Sequence, residues 1–316
     1  MGVEITDPEY KETWLIVSLP PGKHVIGCKW VFTIKYNSMS PVDKTMFIRK
    51  RPTSFTALLV YVDDILIASN NDEALNDLKN ALHKAFEIKD MGTLPFFLGL
   101  EIARNASGIS ICQRKYALDI LSSTCMLACK PVSVPMDPTV HLSKETDTLL
   151  SCAKPYRELI GRLLYVTITR PNITFAVNYL SQFLSCPTDT HLQAAHHILC
   201  YLKSNPGHGL FYNVDSEICL NTFADADWMT CPDSRRSITG FCVYLGKSLV
   251  NWKSKKQQTV SRSSTEEEYR IMALATSELL WLHQLLKDLK VTVCTSAKLF
   301  CYNKSAIHIA TKPRVS

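Results

Sequence analysis

The sequence has no Cys-x-x-Cys pair among its twelve cysteines, which are scattered from Cys28 to Cys301, and no secretory signal precedes them. That combination argues against a disulfide-built secreted domain and for reduced thiols in an intracellular protein, cytoplasmic or nuclear. No uninterrupted apolar run is long enough for a membrane span, since the longest is broken by Asp63 and Asp64. Met1-Gly2 with Thr6 fits a myristoylation pattern only loosely and lacks a basic cluster behind it. Acidic residues are absent between Asp233 and Glu266. What is present is ordinary globular material: 316 residues, enough for two domains, with 46% hydrophobic residues and a net charge of +6. Such a mild charge permits a polyanionic partner without requiring one.

Leu58 to Ala68 consists of two apolar runs around Asp63 and Asp64. The runs have the length and β-branched content of strands, so the spacing predicts a β-hairpin with both carboxylates at its bend. Adjacent carboxylates repel and resist desolvation, and a divalent cation would offset both effects. A solvent-exposed Asp-Asp turn between two core strands accounts for the same pattern.

Elsewhere, Trp14–Leu19 and Cys28–Ile34 read as strands around Pro20-Pro21-Gly22, followed by a polar, basic seam. Asn70 or Asn71 can cap a helix with Leu75, Leu78, Leu82 and Phe86 on one face. Strands are expected at Phe96–Ile102 and Ile109–Ile111, and a short helix at Tyr116–Leu127. Proline-bearing Lys130–Lys154 reads as a linker, and helical patterns return at Tyr156–Thr167, Ile173–Leu184 and His191–Lys203. The texture changes at Leu210 to strands at Ile218–Ala224, Thr239–Leu245 and Leu249–Trp252, a long helix from Thr265 to about Leu289, and a strand at Lys298–Cys301. The pattern ends inside a further helix, which reads as a truncation. His196, His197 and Cys200 form the nearest approach to a zinc grouping, without a second ligand pair.

Asp225 and Asp227 follow the first of these later strands. On the long helix Glu268, Met272, Ala275, Leu279, Leu282 and Leu286 recur at helical spacing, so Glu268 falls on the buried stripe while Glu266 and Glu267 do not. A carboxylate there, near an aspartate at a strand end, suits a divalent metal; alternatively Glu268 completes a capping box with Thr265. The acid-free segment carries Arg235, Arg236, Lys247, Lys253, Lys255, Lys256 and Arg262, with Phe241, Tyr244 and Trp252 interleaved. This composition suits a phosphate backbone, and equally a solvated basic face.

The chain resembles the polyprotein of copia-type LTR retrotransposons, in its reverse transcriptase and the RNase H domain that follows. The motifs, in order, are Gly27-Cys28-Lys29-Trp30-Val31-Phe32, Tyr61-Val62-Asp63-Asp64, Phe97-Leu98-Gly99-Leu100-Glu101-Ile102, Gly161-Arg162-Leu163-Leu164-Tyr165, Thr169-Arg170-Pro171-Asn172-Ile173, Ala224-Asp225-Ala226-Asp227-Trp228, Asp233-Ser234-Arg235-Arg236-Ser237 and Ser263-Ser264-Thr265-Glu266-Glu267-Glu268-Tyr269. The resemblance implies an α+β chain. It divides into a fingers remnant (1–36), a deletion seam (37–56), a partial palm (57–112), thumb or connection helices (113–209) and a truncated RNase H-like mixed α/β sheet domain (210–316). It also implies Mg2+ or Mn2+ on Asp63 and Asp64 for polymerisation and on Asp225 and Glu268 for RNase H cleavage, with RNA template, RNA-DNA hybrid or DNA as partners. Arg235, Arg236, Lys253, Lys255, Lys256 and Arg262 are then the expected nucleic-acid contacts.

Three departures from the family pattern point to a catalytically defective chain. Between Thr33 and Tyr61 the sole acidic residue is Asp43, where the family carries a further palm aspartate. Tyr302-Asn303 stands where an RNase H aspartate is expected, and the sequence ends at Ser316 before the family's final acidic motif. A nucleic-acid-binding or assembly role without catalysis, and residual RNase H activity, are the alternatives.

Overall fold

Local alternation and helical periodicity produce three sheets and seven helices among the residues described by the structure, a computed structural model covering 45–137, 139–140, 142–143, 148–293 and 296–311. All of them lie in one compact unit. The segment expected to be a fingers remnant, with its Cys28–Phe32 motif, and Asp43 lie outside the described residues.

The first sheet is a meander of β1 (Met46–Lys50), β2 (Phe55–Tyr61) and β3 (Asp64–Ser69). Part of the expected seam is thus regular structure: Met46–Lys50 runs antiparallel to β2, pairing Met46 with Leu59 and Lys50 with Phe55. A neighbouring strand supplies the ladder that a short basic segment cannot stabilise alone. Asn71 caps α1 (Asp72–Ala85), its side chain accepting from the Ala74 amide at 2.8 Å. Leu75, Leu78 and Leu82 are half-buried, while Phe86, one residue beyond the last helical position, forms the C-cap and is exposed.

The second sheet contains β4 (Phe96–Phe97), β5 (Leu100–Asn105), β6 (Gly108–Cys112) and β7 (Leu210–Asn213). Here β7 begins where the sequence texture changes, yet it pairs antiparallel with β6, Ile111 opposite Leu210, and not with the later strands. Backbone pairing across nearly a hundred residues leaves no local signature. The junction requires Gly209, where a Cβ atom would stand 2.1 Å from the Ile111 carbonyl oxygen and 2.8 Å from Cys112 Cβ. Gly209→Ala is expected to cost roughly 1–3 kcal/mol by forcing the strands apart, read as a lowered midpoint in urea denaturation.

Between these strands, α2 (Arg114–Ser123), α3 (Lys154–Val166), α4 (Thr174–Leu180) and α5 (Asp189–Ser204) surround one core that includes Ile120, Tyr156, Ile160, Leu163, Val177 and Leu199. The helix expected over Ile173–Leu184 is shorter, with 3-10 turns at Pro171–Ile173 and Ser181–Phe183. Described parts of the proline-bearing linker pack on this core instead of spanning open solvent. Leu142 is buried in it, and the Val132 amide donates to the Cys200 carbonyl at 3.4 Å. Prolines remove backbone donors, but the intervening apolar side chains still favour burial.

The third sheet has the order β10-β9-β8-β11, from β8 (Leu220–Asp227), β9 (Ile238–Leu245), β10 (Ser248–Lys256) and β11 (Lys298–Phe300). β8, β9 and β10 are antiparallel neighbours, and β11 is parallel to β8. One face packs on α6 (Ser264–Asp288), where Leu220, Ala224, Phe241 and Val243 meet Ile271, Ala275 and Leu279. α7 (Lys304–Thr311) follows β11. Among the described residues, no helix is long and apolar enough to cross a membrane.

Candidate nucleic-acid and metal sites

At the first candidate site the predicted hairpin forms, Tyr61 pairing with Asp64 so that Val62 and Asp63 make the turn. Val62 takes a left-handed φ of 50°, an unfavourable region for a β-branched residue. Both aspartates are exposed at the tip.

At the second, strand alternation turns Phe223, Asp225 and Asp227 away from α6, whereas Leu220, Ala224 and Ala226 face it. Glu268, 7% exposed, reaches β8 from the first turns of α6. It accepts from Cys301 Sγ at 3.6 Å and from the Ala226 backbone. Burial holds its carboxyl above the ordinary range, and repulsion from Asp225 and Glu267 adds to the effect. Asp227 is likewise raised by burial and by Asp225. The structure therefore brings Asp225, Asp227 and Glu268 into one electrostatic neighbourhood.

Two expectations about this helix are corrected. Its N-cap is Ser263, whose Oγ accepts from the Glu266 amide at 3.2 Å, so no Thr265–Glu268 capping box forms. Glu267, expected outside the buried stripe, is fully buried and accepts a hydrogen bond from Ser261 Oγ. The cause is the segment before the helix: Trp228 Nε1 donates to the Ser261 carbonyl at 3.1 Å, holding that residue over the helix start. Glu267 Oε1 has no hydrogen-bond partner among the described residues.

The expected phosphate contacts do not form one row, because strand alternation divides them. Lys253 Nζ lies 3.7 Å from Glu278 Oε1, while Lys256, on the other face, donates to Cys231 Sγ at 2.8 Å. Burial would push the Cys231 thiol up, but Lys256 and the Ser234 backbone amide bring it below its ordinary value. Arg235, Arg236, Lys255 and Arg262 are exposed. Of the interleaved aromatics, Phe241 belongs to the core, Tyr244 meets Phe223 edge-on, and Trp252 Nε1 donates to Thr174 Oγ1 at 3.1 Å.

That last bond, with Asn178 Nδ2 donating to the Ser254 carbonyl at 3.0 Å, ties α4 to β10. Between α4 and the open sheet face lies a cleft of about 710 Å³, lined by Phe175, Phe223, Asp225, Trp252, Phe300 and Tyr302 among others. Sequence reasoning missed Phe223 and Phe300. The available signal was alternation: Lys298 and Phe300 flank the inward Leu299.

Asp225 and Glu268 fit a divalent cation as hard oxygen donors whose repulsion a cation would relieve. Asp63 and Asp64 fit less well, standing exposed at a tip. Among the described residues, no three or more His, Cys, Asp or Glu side chains are grouped to hold a metal. This includes the His196, His197 and Cys200 grouping: His197 Nε2 pairs with the Val134 carbonyl at 3.1 Å, and Cys200 is engaged with Cys129, its thiol pushed up to about 11 by burial.

Residues 38–138 match a family model described as reverse transcriptase (RNA-dependent DNA polymerase). The chain is 41% identical to the retrovirus-related Pol polyprotein from transposon RE1 of Arabidopsis thaliana over 285 residues, 90% of this chain and 19% of that protein. It is 33% identical to the corresponding polyprotein from transposon TNT 1-94 of Nicotiana tabacum, over 84% of this chain and 20% of the relative. An uncharacterized mitochondrial protein of Arabidopsis thaliana is 41% identical over 71% of this chain and 93% of its own length. The chain thus spans about a fifth of the length of the transposon polyproteins it matches. No solved structure matches it.

Proposed function

Because the chain belongs to the retrovirus-related Pol polyproteins of copia-type transposons, we propose that it is a reverse transcriptase and RNase H fragment that binds nucleic acid without completing either reaction. In this reading the β2–β3 hairpin and the second sheet are palm, α2–α5 are thumb or connection, and β8 onward is RNase H-like. The observation carrying the RNase H part is α6 laid across an antiparallel β8–β9–β10 sheet with β11 parallel to β8, which puts Glu268 within electrostatic reach of Asp225. Bound magnesium or manganese would there supply an activated water for phosphodiester cleavage. The chain's own part is to hold Glu268 by Cys301 and Ala226 and to present Asp225 on the open face.

Loss of catalysis is supported by chemistry at the remaining positions. Asp43 is the only acidic residue between Thr33 and Tyr61, so Asp63 and Asp64 have little company from that segment. Tyr302, just after β11, offers a neutral phenol in place of the charged carboxylate oxygens that hard divalent cations prefer. With the full chain, magnesium-dependent primer extension on RNA and cleavage of labelled RNA in a hybrid are both expected to be absent, while the hybrid binds with salt-sensitive affinity. Extension lost on Asp63→Asn, or cleavage lost on Asp225→Asn, would overturn this reading in favour of a working enzyme. Charge reversal at Lys255 and Arg262, both exposed, is expected to weaken hybrid binding and reduce its salt dependence.

A further inference from the structure

On the open face of the third sheet, an aromatic stack ends in solvent. Phe223 and Phe300 are register partners on the parallel neighbours β8 and β11. Their ring centroids are 4.9 Å apart with planes inclined by 15°, and Tyr244 closes the inner end of the pair, edge-on to Phe223 at 6.0 Å. Among the described residues β11 is the sheet's edge strand and no further strand pairs beyond Phe300, which remains 45% exposed.

The charges beside the stack are polarised. Lys298, exposed, precedes Phe300 by two residues and projects from the same strand face. On the other side, one alternation beyond Phe223, stands Asp225. A flat ligand stacked on Phe300 would therefore have the Lys298 cation at one edge, while Asp225, on β8, lies on the Phe223 side of the stack.

We propose that this open ring binds an unpaired nucleobase of a single-stranded nucleic acid, which extends the Phe223–Phe300 stack while Lys298 engages the adjoining phosphate. The inference rests on the nucleic-acid reading above and assigns the strand form this face takes. A base within a duplex already has both faces stacked and cannot add to the pair, whereas a single-stranded base has a π-face to offer irrespective of its identity.

Fluorescence anisotropy of the full chain with a labelled twelve-nucleotide DNA, the RNA of the same sequence, and an RNA-DNA hybrid of equal length tests this. Phe300→Ala is expected to weaken both single strands about tenfold and leave hybrid affinity unchanged, and Phe300→Trp to retain single-strand binding. Lys298→Glu, a surface change that does not disturb the rings, is expected to weaken single-strand binding and reduce its salt slope by about one. Equal single-strand binding by wild type, Phe300→Ala and Lys298→Glu at matched melting temperature would overturn the assignment while leaving hybrid binding intact. Absence of salt-sensitive binding to all three probes would overturn the nucleic-acid reading itself.

Discussion

Tyr302→Asp is expected to give the chain a manganese-dependent rise in melting temperature that the wild type lacks. Tyr302 follows Cys301, whose Sγ is 3.6 Å from Glu268 Oε2, and it lines the cleft that also contains Asp225. At 91% exposure it can be replaced without opening a cavity. The variant would add a third hard oxygen donor beside two carboxylates, one of which burial and repulsion already hold above its usual pKa. A cation binding only the folded chain stabilises it by about 2.7 kcal/mol at a hundred times its dissociation constant. Differential scanning fluorimetry with and without Mn2+ reads the effect, with Tyr302→Asn as the uncharged control. An equal response of wild type, Asp and Asn forms would show that position 302 has no part in metal binding.

Tyr156→Ala is expected to destabilise the chain by about 3–5 kcal/mol, the cost of emptying an aromatic site in a packed core. Tyr156 is completely buried at the start of α3, and its hydroxyl donates to the Leu180 carbonyl at 2.9 Å, joining α3 to the end of α4. Tyr156→Phe keeps the ring and loses only that bond, so it should cost about 1 kcal/mol. Urea denaturation of the two variants separates packing from hydrogen bonding; equal losses would mean that the hydroxyl, not the ring, dominates. Since α4 forms one wall of the cleft through Trp252–Thr174 and Asn178–Ser254, the Ala variant should also weaken single-strand binding near its transition.

Elements whose signal is local are legible in the sequence. The hairpin declares itself because two apolar, β-branched runs flank turn-forming residues, but the pairing of Tyr61 with Asp64 puts the turn at Val62-Asp63 and leaves Asp64 as the first residue of β3, one position from the expected bend. The long helix declares itself by apolar spacing, and six of its seven buried residues are Glu268 or apolar. Glu267 is the seventh. Its burial depends on Ser261 being held over the helix start by Trp228, a contact across 33 residues that periodicity does not contain. Leu142 is a similar case: a proline-bearing stretch reads as linker, yet a single apolar side chain can find a core built by distant helices.

By itself the sequence determined the family, most of the strands and helices from Phe55 onward, though neither β7 nor the turn that splits the expected Phe96–Ile102 strand into antiparallel β4 and β5, and the carboxylates available for metal chemistry, because these follow from residue type and short-range spacing. Only the tertiary structure decided which of them meet. It joined β7 to β6, divided Lys253 from Lys256 across a strand, set Glu268 within electrostatic reach of Asp225, and aligned Phe223 with Phe300 at the sheet edge. Each of those outcomes is a long-range pairing, settled by which surfaces bury together and not by any property of the segments taken singly.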